Sequence, residues 1–574
     1  TGATEKMRIL DTGEVGIGVT PTALLQVTGG KSGDWAGRFE NTHATGYGVL
    51  AKIAGTTLSD LIFQARTGAT NVMTVAGTGI VQFNTYGVGT HSGTATYDLS
   101  VDASGNIIET TGGGAGGPFV PYMSGADQIA RTECAATWNT SLGCQALQNL
   151  AVGGNYNTAL GGQAGTALTT GDQNIAIGYR ALASEDTGSN NVAIGQQALE
   201  DLNYAGSGYN VAIGADAGRN VSTGVNNTLI GGLTGDALTT GQENTAIGKG
   251  SLGSTTTASL NVAIGNNALY TNIEGSRSVA VGYEALFTQN PVAPWDMYNV
   301  GVGYNAGKAI TDATRNTLIG ALAGDALTTG SYNVAVGYDA LSTEDGNGRN
   351  VAVGYQALLT QNAGADAYNV AVGFYAGTAV TTGTSNVMVG GLAGDALTTG
   401  NHNIAIGREA LSTEDGNGYN VAIGGYALQD LNAGADAYNV VIGYQAGTQM
   451  TTGTYNTVIG SQALGTGITT GTKNTAIGYQ AGLNITDGGN NVLVGSEAGD
   501  AITGGDRNVA VGHNALSSED TGSRSTAVGY NALSTQNYGS NNYNVAVGYA
   551  AGTSVASGVQ NTLIGSLAGD AITD

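Results

Sequence analysis

The chain has 574 residues, of which 10% are charged, 6% are aromatic and 97 are glycine, and its formal net charge is −24. That balance excludes the basic patches nucleic acid requires for its phosphates, and argues against docking on anionic lipid headgroups. No apolar run approaches a membrane span, no signal peptide is visible, and the low aromatic content leaves little to build a large globular core.

Residues 1–110 read as a β-rich N-terminal shaft or attachment segment, with turn signals at "DTGE", "TGGKSGD" and "DASGN". Thr111–Gly117, "TGGGAGG", is a flexible linker by composition, and 111–138 form a glycine-rich entry to a long repetitive region. From 139 to 574 one phrase recurs: Asn, three small or branched apolar residues, Gly, two variable residues, Ala. It aligns 25 times, from Gly143 to Gly565, and 17 of the 24 intervals are 17 residues long. Asn stands four residues before the glycine in 23 copies, with Ser278 and Ser525 the exceptions. A short fixed period is the mark of a solenoid, in which each repeat is one coil stacked on the last.

The coil is expected to be β. Val-Ala-Val and Val-Ala-Ile triplets alternate at period 2, and glycine at this density opposes helix, at about 1 kcal/mol each relative to Ala. Each coil is expected to hold two short strands, the second over Ala-Leu-x-Thr, and two turns. The Asn residues, in register from coil to coil, should form an amide ladder. Apolar residues on both faces of the strand imply burial on both, one side against the coil's own second strand and the other against another subunit. The prediction is therefore an all-β parallel solenoid, or β-roll, of about 25 coils. A second period of 70 or 71 residues lies on top, carried by "STEDGNG" at Ser342–Gly348 and Ser412–Gly418. It is expected to return a lengthened coil on every fourth rung. The longest insertion, Thr288–Asn299, holds Trp295 and Tyr298, the candidates for surface contact. The chain stops in mid-coil, which suggests a further domain, a removed chaperone or end-to-end stacking of copies.

"NVAIG", "NTAIG" and "NVAVG", each with Ala three residues later, resemble the head repeats of YadA-type trimeric adhesins. That resemblance implies a left-handed parallel β-roll with three chains about one axis. The 17-residue coils depart from that pattern, and so does the lack of a C-terminal anchor barrel. Met7–Gly30 and Tyr97–Thr110 are similar to shaft segments of bacteriophage tail fibres. Together these imply a non-enzymatic, homotrimeric tail fibre or virion appendage that contacts a bacterial surface glycan or protein. The alternatives are a bacterial adhesin passenger and a self-assembling extracellular filament.

Chemistry is sparse. His43, His91, His402 and His513 are scattered, with no metal-ligand spacing. The acidic pairs Glu185/Asp186, Glu344/Asp345, Glu414/Asp415 and Glu519/Asp520 recur at one phase, as solvated turns or, less simply, calcium-binding turns. No catalytic set, and no cofactor, is expected. Cys134 and Cys144 read either as two free buried thiols or as a disulfide fastening the first coil. The tyrosines before the Asn or after the Gly are expected to stack as ladders.

Overall fold

The computed structural model describes residues 138–574, apart from Asn347 and Ile468. For residues 1–137 it gives strands and their pairing alone. The proposed linker and Cys134, and with it any Cys134–Cys144 bond, lie outside the described residues. The chain divides into two compact units, Thr1–Gln197 with Asn203–Ser207, and Ala198–Leu202 with Gly208–Asp574.

In the first unit, nine strands from Arg8–Ile9 to His91–Thr94 succeed one another antiparallel in a single sheet. A separate antiparallel pair joins Leu99–Val101 to Ile107–Glu109. Asn139–Leu142 then starts the parallel series, pairing in register with Thr158–Leu160, which pairs in turn with Ile175–Ile177. In the second unit the series runs from Val211–Ile213 to Thr562–Ile564. The described repeat region is a parallel β-solenoid of about 25 turns, without helix.

Each coil is built the same way. The three-residue strand turns its central residue inward. Ala405, for example, is fully buried, whereas Ile404 and Ile406 are half-exposed on the outer face. The two faces of the strand are therefore unequal within one chain: the inner face is closed and the outer is an apolar stripe. The expected second strand does not form. After the closing Gly407 (φ +135°), Glu409 and Leu411 adopt φ +54° and +53°, and His402, just before the Asn, adopts +57°. Alternating left-handed residues make a tight turn rather than a strand. Residue type does not announce it, because Leu is not a left-handed former. Coil-to-coil bonds hold these angles, among them Glu409 N–H to Gly391 O (2.9 Å) and Leu411 N–H to Ala427 O (3.0 Å).

Core volume is conserved by exchange. The coil closed by Gly407 pairs a small strand residue, Ala405, with a large one in the turn, Leu411. The coil before it reverses this, with Met388 in the strand and Gly394 in the turn. A Cβ at Gly377, one coil earlier still, would meet Met388 Sδ at 2.7 Å. Large and small side chains thus interdigitate along the stack.

The amide ladder is present. Asn403 N–H donates to Asn386 Oδ1 (2.9 Å), and Asn420 N–H donates to Asn403 Oδ1 (3.0 Å). Asn403 Nδ2 donates to Asn417 O (2.9 Å), so each amide ties one coil to the next and to a turn. Where Ser278 interrupts the ladder, the buried Gln289 reaches in. It donates to Ser278 Oγ (3.0 Å) and accepts from Asn299 Nδ2 (2.9 Å). Gln536 serves Ser525 and Asn544 in the same way.

Seven residues after the closing glycine lies a second inward position, filled by Leu238, Leu327, Leu397 or Ile502 in ordinary coils. Glu185, Glu344, Glu414 and Glu519 occupy this same position and are fully buried. The reading of the acidic pairs as solvated turns is thus half corrected: each Asp faces outward and each Glu faces the core. The lengthened coils also differ from expectation. They come after Gly195, Gly282, Gly354, Gly424 and Gly529, and so are separated by four, five or six coils rather than a constant four. Every one of the four glutamates lies in the coil just before a lengthened one. Inserted residues cannot stack carbonyls in register on the turn below. The carboxylate supplies the missing acceptor: Glu519 Oε1 accepts from Gly522 N–H (2.7 Å), and Oε2 from Gln536 Nε2 and Asn542 Nδ2 (2.7 Å each).

Candidate functional site

The longest insertion is anchored at both ends. Gln289 and Met297 are buried, and Asn290 N–H donates to Thr311 O (2.9 Å). Ser276 N–H donates to Trp295 O, and Met297 N–H donates back to Ser276 O (2.9 Å each). Between these ties Trp295 stays 45% exposed, and Tyr298 is similarly exposed. The structure brings the two candidates together. They share an open concavity of about 700 Å³ with Pro294, Asp296, Asp312, Thr314, Arg315 and Ser331.

The electrostatics of that concavity come from a column that sequence reasoning missed. The residues preceding the ladder Asn read Arg277, Tyr298, Arg315, Tyr332, Arg349, Tyr368 on successive coils. Their side chains alternate, with Arg315 lying 5.8 Å from the Tyr298 ring centroid and 5.4 Å from that of Tyr332. Arg277 pairs with Asp296 (3.0 Å), and Arg349 pairs with Asp366. Arg315 donates to the Tyr332 hydroxyl (3.1 Å) and makes no ion pair among the described residues. Aligning the repeats on the residue before Asn, rather than on the glycine alone, would have exposed this alternation.

Other candidates fall into structural roles. His402 stacks on Tyr419 (5.1 Å), and His513 stacks on Tyr530 (5.4 Å), each inside a ladder. Tyr419, Tyr438 and Tyr455 continue one ladder, and Tyr338, Tyr355 and Phe374 form another. Cys144 is half-buried just after Gly143. Among the described residues no three His, Cys, Asp or Glu side chains gather closely enough to hold a metal ion. Burial raises the carboxyls of Glu185, Glu414 and Glu519 above the usual range, and their hydrogen-bond donors pull them partly back. Burial also pushes Asp395 up to about 6, helped by the nearby charge of Glu409. Among the described residues no helix is long and apolar enough to cross a membrane.

The geometry defines a β-solenoid repeat protein with exposed aromatic and cationic columns. No family model and no curated protein matches the chain.

Proposed function

We propose that the protein is a structural fibre, a phage tail fibre or similar virion appendage, which associates as a homotrimer and adheres to a bacterial surface glycan or protein. The observation that carries this reading is the outer face of the strands. Val and Ile recur there on coil after coil, half-exposed, as in Val351/Val353 and Ile404/Ile406. A continuous apolar stripe marks an interaction surface, and copies of the same chain present it at the same spacing. Multiplying exposed ladders and loops over three chains turns weak contacts into avidity.

The test is electron microscopy with solution mass, then adsorption of the purified protein to bacterial cells. Fibres of one length, a three-chain mass and saturable adsorption support the reading. A monomer that adsorbs to no cells overturns it, and filaments of indefinite length favour the extracellular-filament alternative.

A further inference from the structure

We infer that the concavity beside Trp295 is a subsite for a neutral hexose oligosaccharide, which gives the adhesion reading above, on which it rests, a ligand class. Three observations carry it. First, Trp295 offers an exposed indole with no ring partner among the described residues, on a loop pinned at both ends. A fixed flat apolar surface suits the C–H face of a pyranose and costs little ordering on binding. Tyr298, its ring flanked by Arg277 and Arg315, contributes its rim.

Second, residues able to bind hydroxyls line the same space: Asp312, Thr314, Arg315 and Ser331. A few placed polar groups around an apolar wall are the usual composition of a small-ligand site. Third, the local charges cancel. Asp296 is neutralised by Arg277 and Asp312 offsets Arg315, while the whole chain carries −24. That field opposes an acidic polysaccharide. A peptide adding as a strand would have to displace bonds already made here: Arg315 N–H donates to Met297 O (2.8 Å), and Thr314 N–H donates to Ser331 Oγ (3.0 Å).

The experiment applies the full chain to an array of immobilised neutral and acidic oligosaccharides, alongside Trp295→Ala, Arg315→Ala and the control Tyr209→Ala, with adsorption to cells measured in parallel. We expect retention on neutral hexose oligomers. Trp295→Ala should lower apparent affinity tenfold or more and Arg315→Ala several-fold, while Tyr209→Ala, an exposed tyrosine of the same column, should match the parent. Circular dichroism of each variant confirms an unchanged fold. Retention on acidic oligosaccharides only, no retention on neutral ones, or full retention by Trp295→Ala overturns the inference. If the array is blank while cells still adsorb the protein, the fibre reading survives and the subsite does not. If the parent protein is a monomer that adsorbs to no cells, the fibre reading itself fails.

Discussion

The neighbouring coils closed by Gly390 and Gly407 have the same length and pair residue for residue, Val387 with Ile404 and Val389 with Ile406. At the same inward position one carries Leu397 and the other Glu414, both fully buried. The difference lies in what stacks above each turn. Over the Leu397 coil sits another 17-residue coil, and Thr398 and Thr399 both donate their N–H groups to Asp415 O (2.5 and 3.2 Å). Over the Glu414 coil sits a lengthened one, and Asn417 turns its N–H and its amide inward to Glu414 Oε1 (3.0 and 2.6 Å). The inward slot is set by the coil, and its occupant is set by whether the next coil can complete the turn's hydrogen bonds. A buried carboxyl is tolerable here because two donors converge on its Oε1.

Both coils share one backbone, and Gly390→Ala should disrupt it. At φ +138° a side chain is strained, and its Cβ would lie 2.5 Å from Gly407 O. We expect a loss of about 4 kcal/mol, concentrated locally because solenoid stability is a sum over neighbouring coils. Hydrogen exchange should show opening between the Gly373 and Gly424 coils. Uniform protection there would show that the backbone is less constrained than its angles imply.

The ladder common to both coils comes next. Asn403→Ala removes the acceptor of Asn420 N–H and the donor to Asn417 O. Two buried groups left unpaired should cost about 3 kcal/mol in denaturant unfolding. Gln289→Leu, which strips Ser278 and Asn299 of their bridge, should cost about 2 kcal/mol. If it costs nothing, the idea that Gln289 replaces a missing ladder amide fails.

Exchanging the inward residues tests the comparison directly. Glu414→Leu turns one coil type into the other but leaves the Asn417 donors unmatched, for an expected loss of about 2 kcal/mol. pH gives an independent reading. Glu414 and Glu519 have folded-state values raised above the ordinary 4.5, and Asp395 is raised to about 6 from 3.8. A raised folded value means the folded state holds protons the unfolded chain has released. This contribution is complete below the unfolded value and lost as pH rises through the folded one. Unfolding midpoints should therefore fall as pH rises from about 3.8 through about 6, and Glu519→Gln should flatten that slope. A midpoint that climbs across this window would contradict the raised values.

How much of this the sequence disclosed depends on what a 17-residue period can carry. Asn, Gly and Ala recur at fixed phase, so the solenoid, the amide ladder and the tyrosine stacks were legible. The left-handed Leu411 was not, because coil-to-coil bonds impose its angle against its preference. Glu414 was not, because an acidic pair beside glycine has the composition of a solvated turn, and only the 19-residue interval after it hints at a deficit of acceptors. Trp295 stood out by interrupting the repeat, and Tyr298 by closing that same insertion. Arg315, which obeys the repeat, did not.

The smallest expected effect lies on the outside of the same coils. Tyr438 stands on the lengthened coil above Glu414, stacked between Tyr419 (4.9 Å) and Tyr455 (5.3 Å), and is 43% exposed. Each such pair contributes about 0.5–1.5 kcal/mol when well packed, and exposure places these at the low end. Tyr438→Ala should therefore cost about 1 kcal/mol by denaturant unfolding. It should leave hydrogen exchange at Asn417 unchanged, since that turn is closed from inside by Glu414. Faster exchange at Asn417 in Tyr438→Ala would mean that the outer ladder also holds the lengthened coil in register. The carboxylate would then be one of two devices spanning the mismatch between a short coil and a long one.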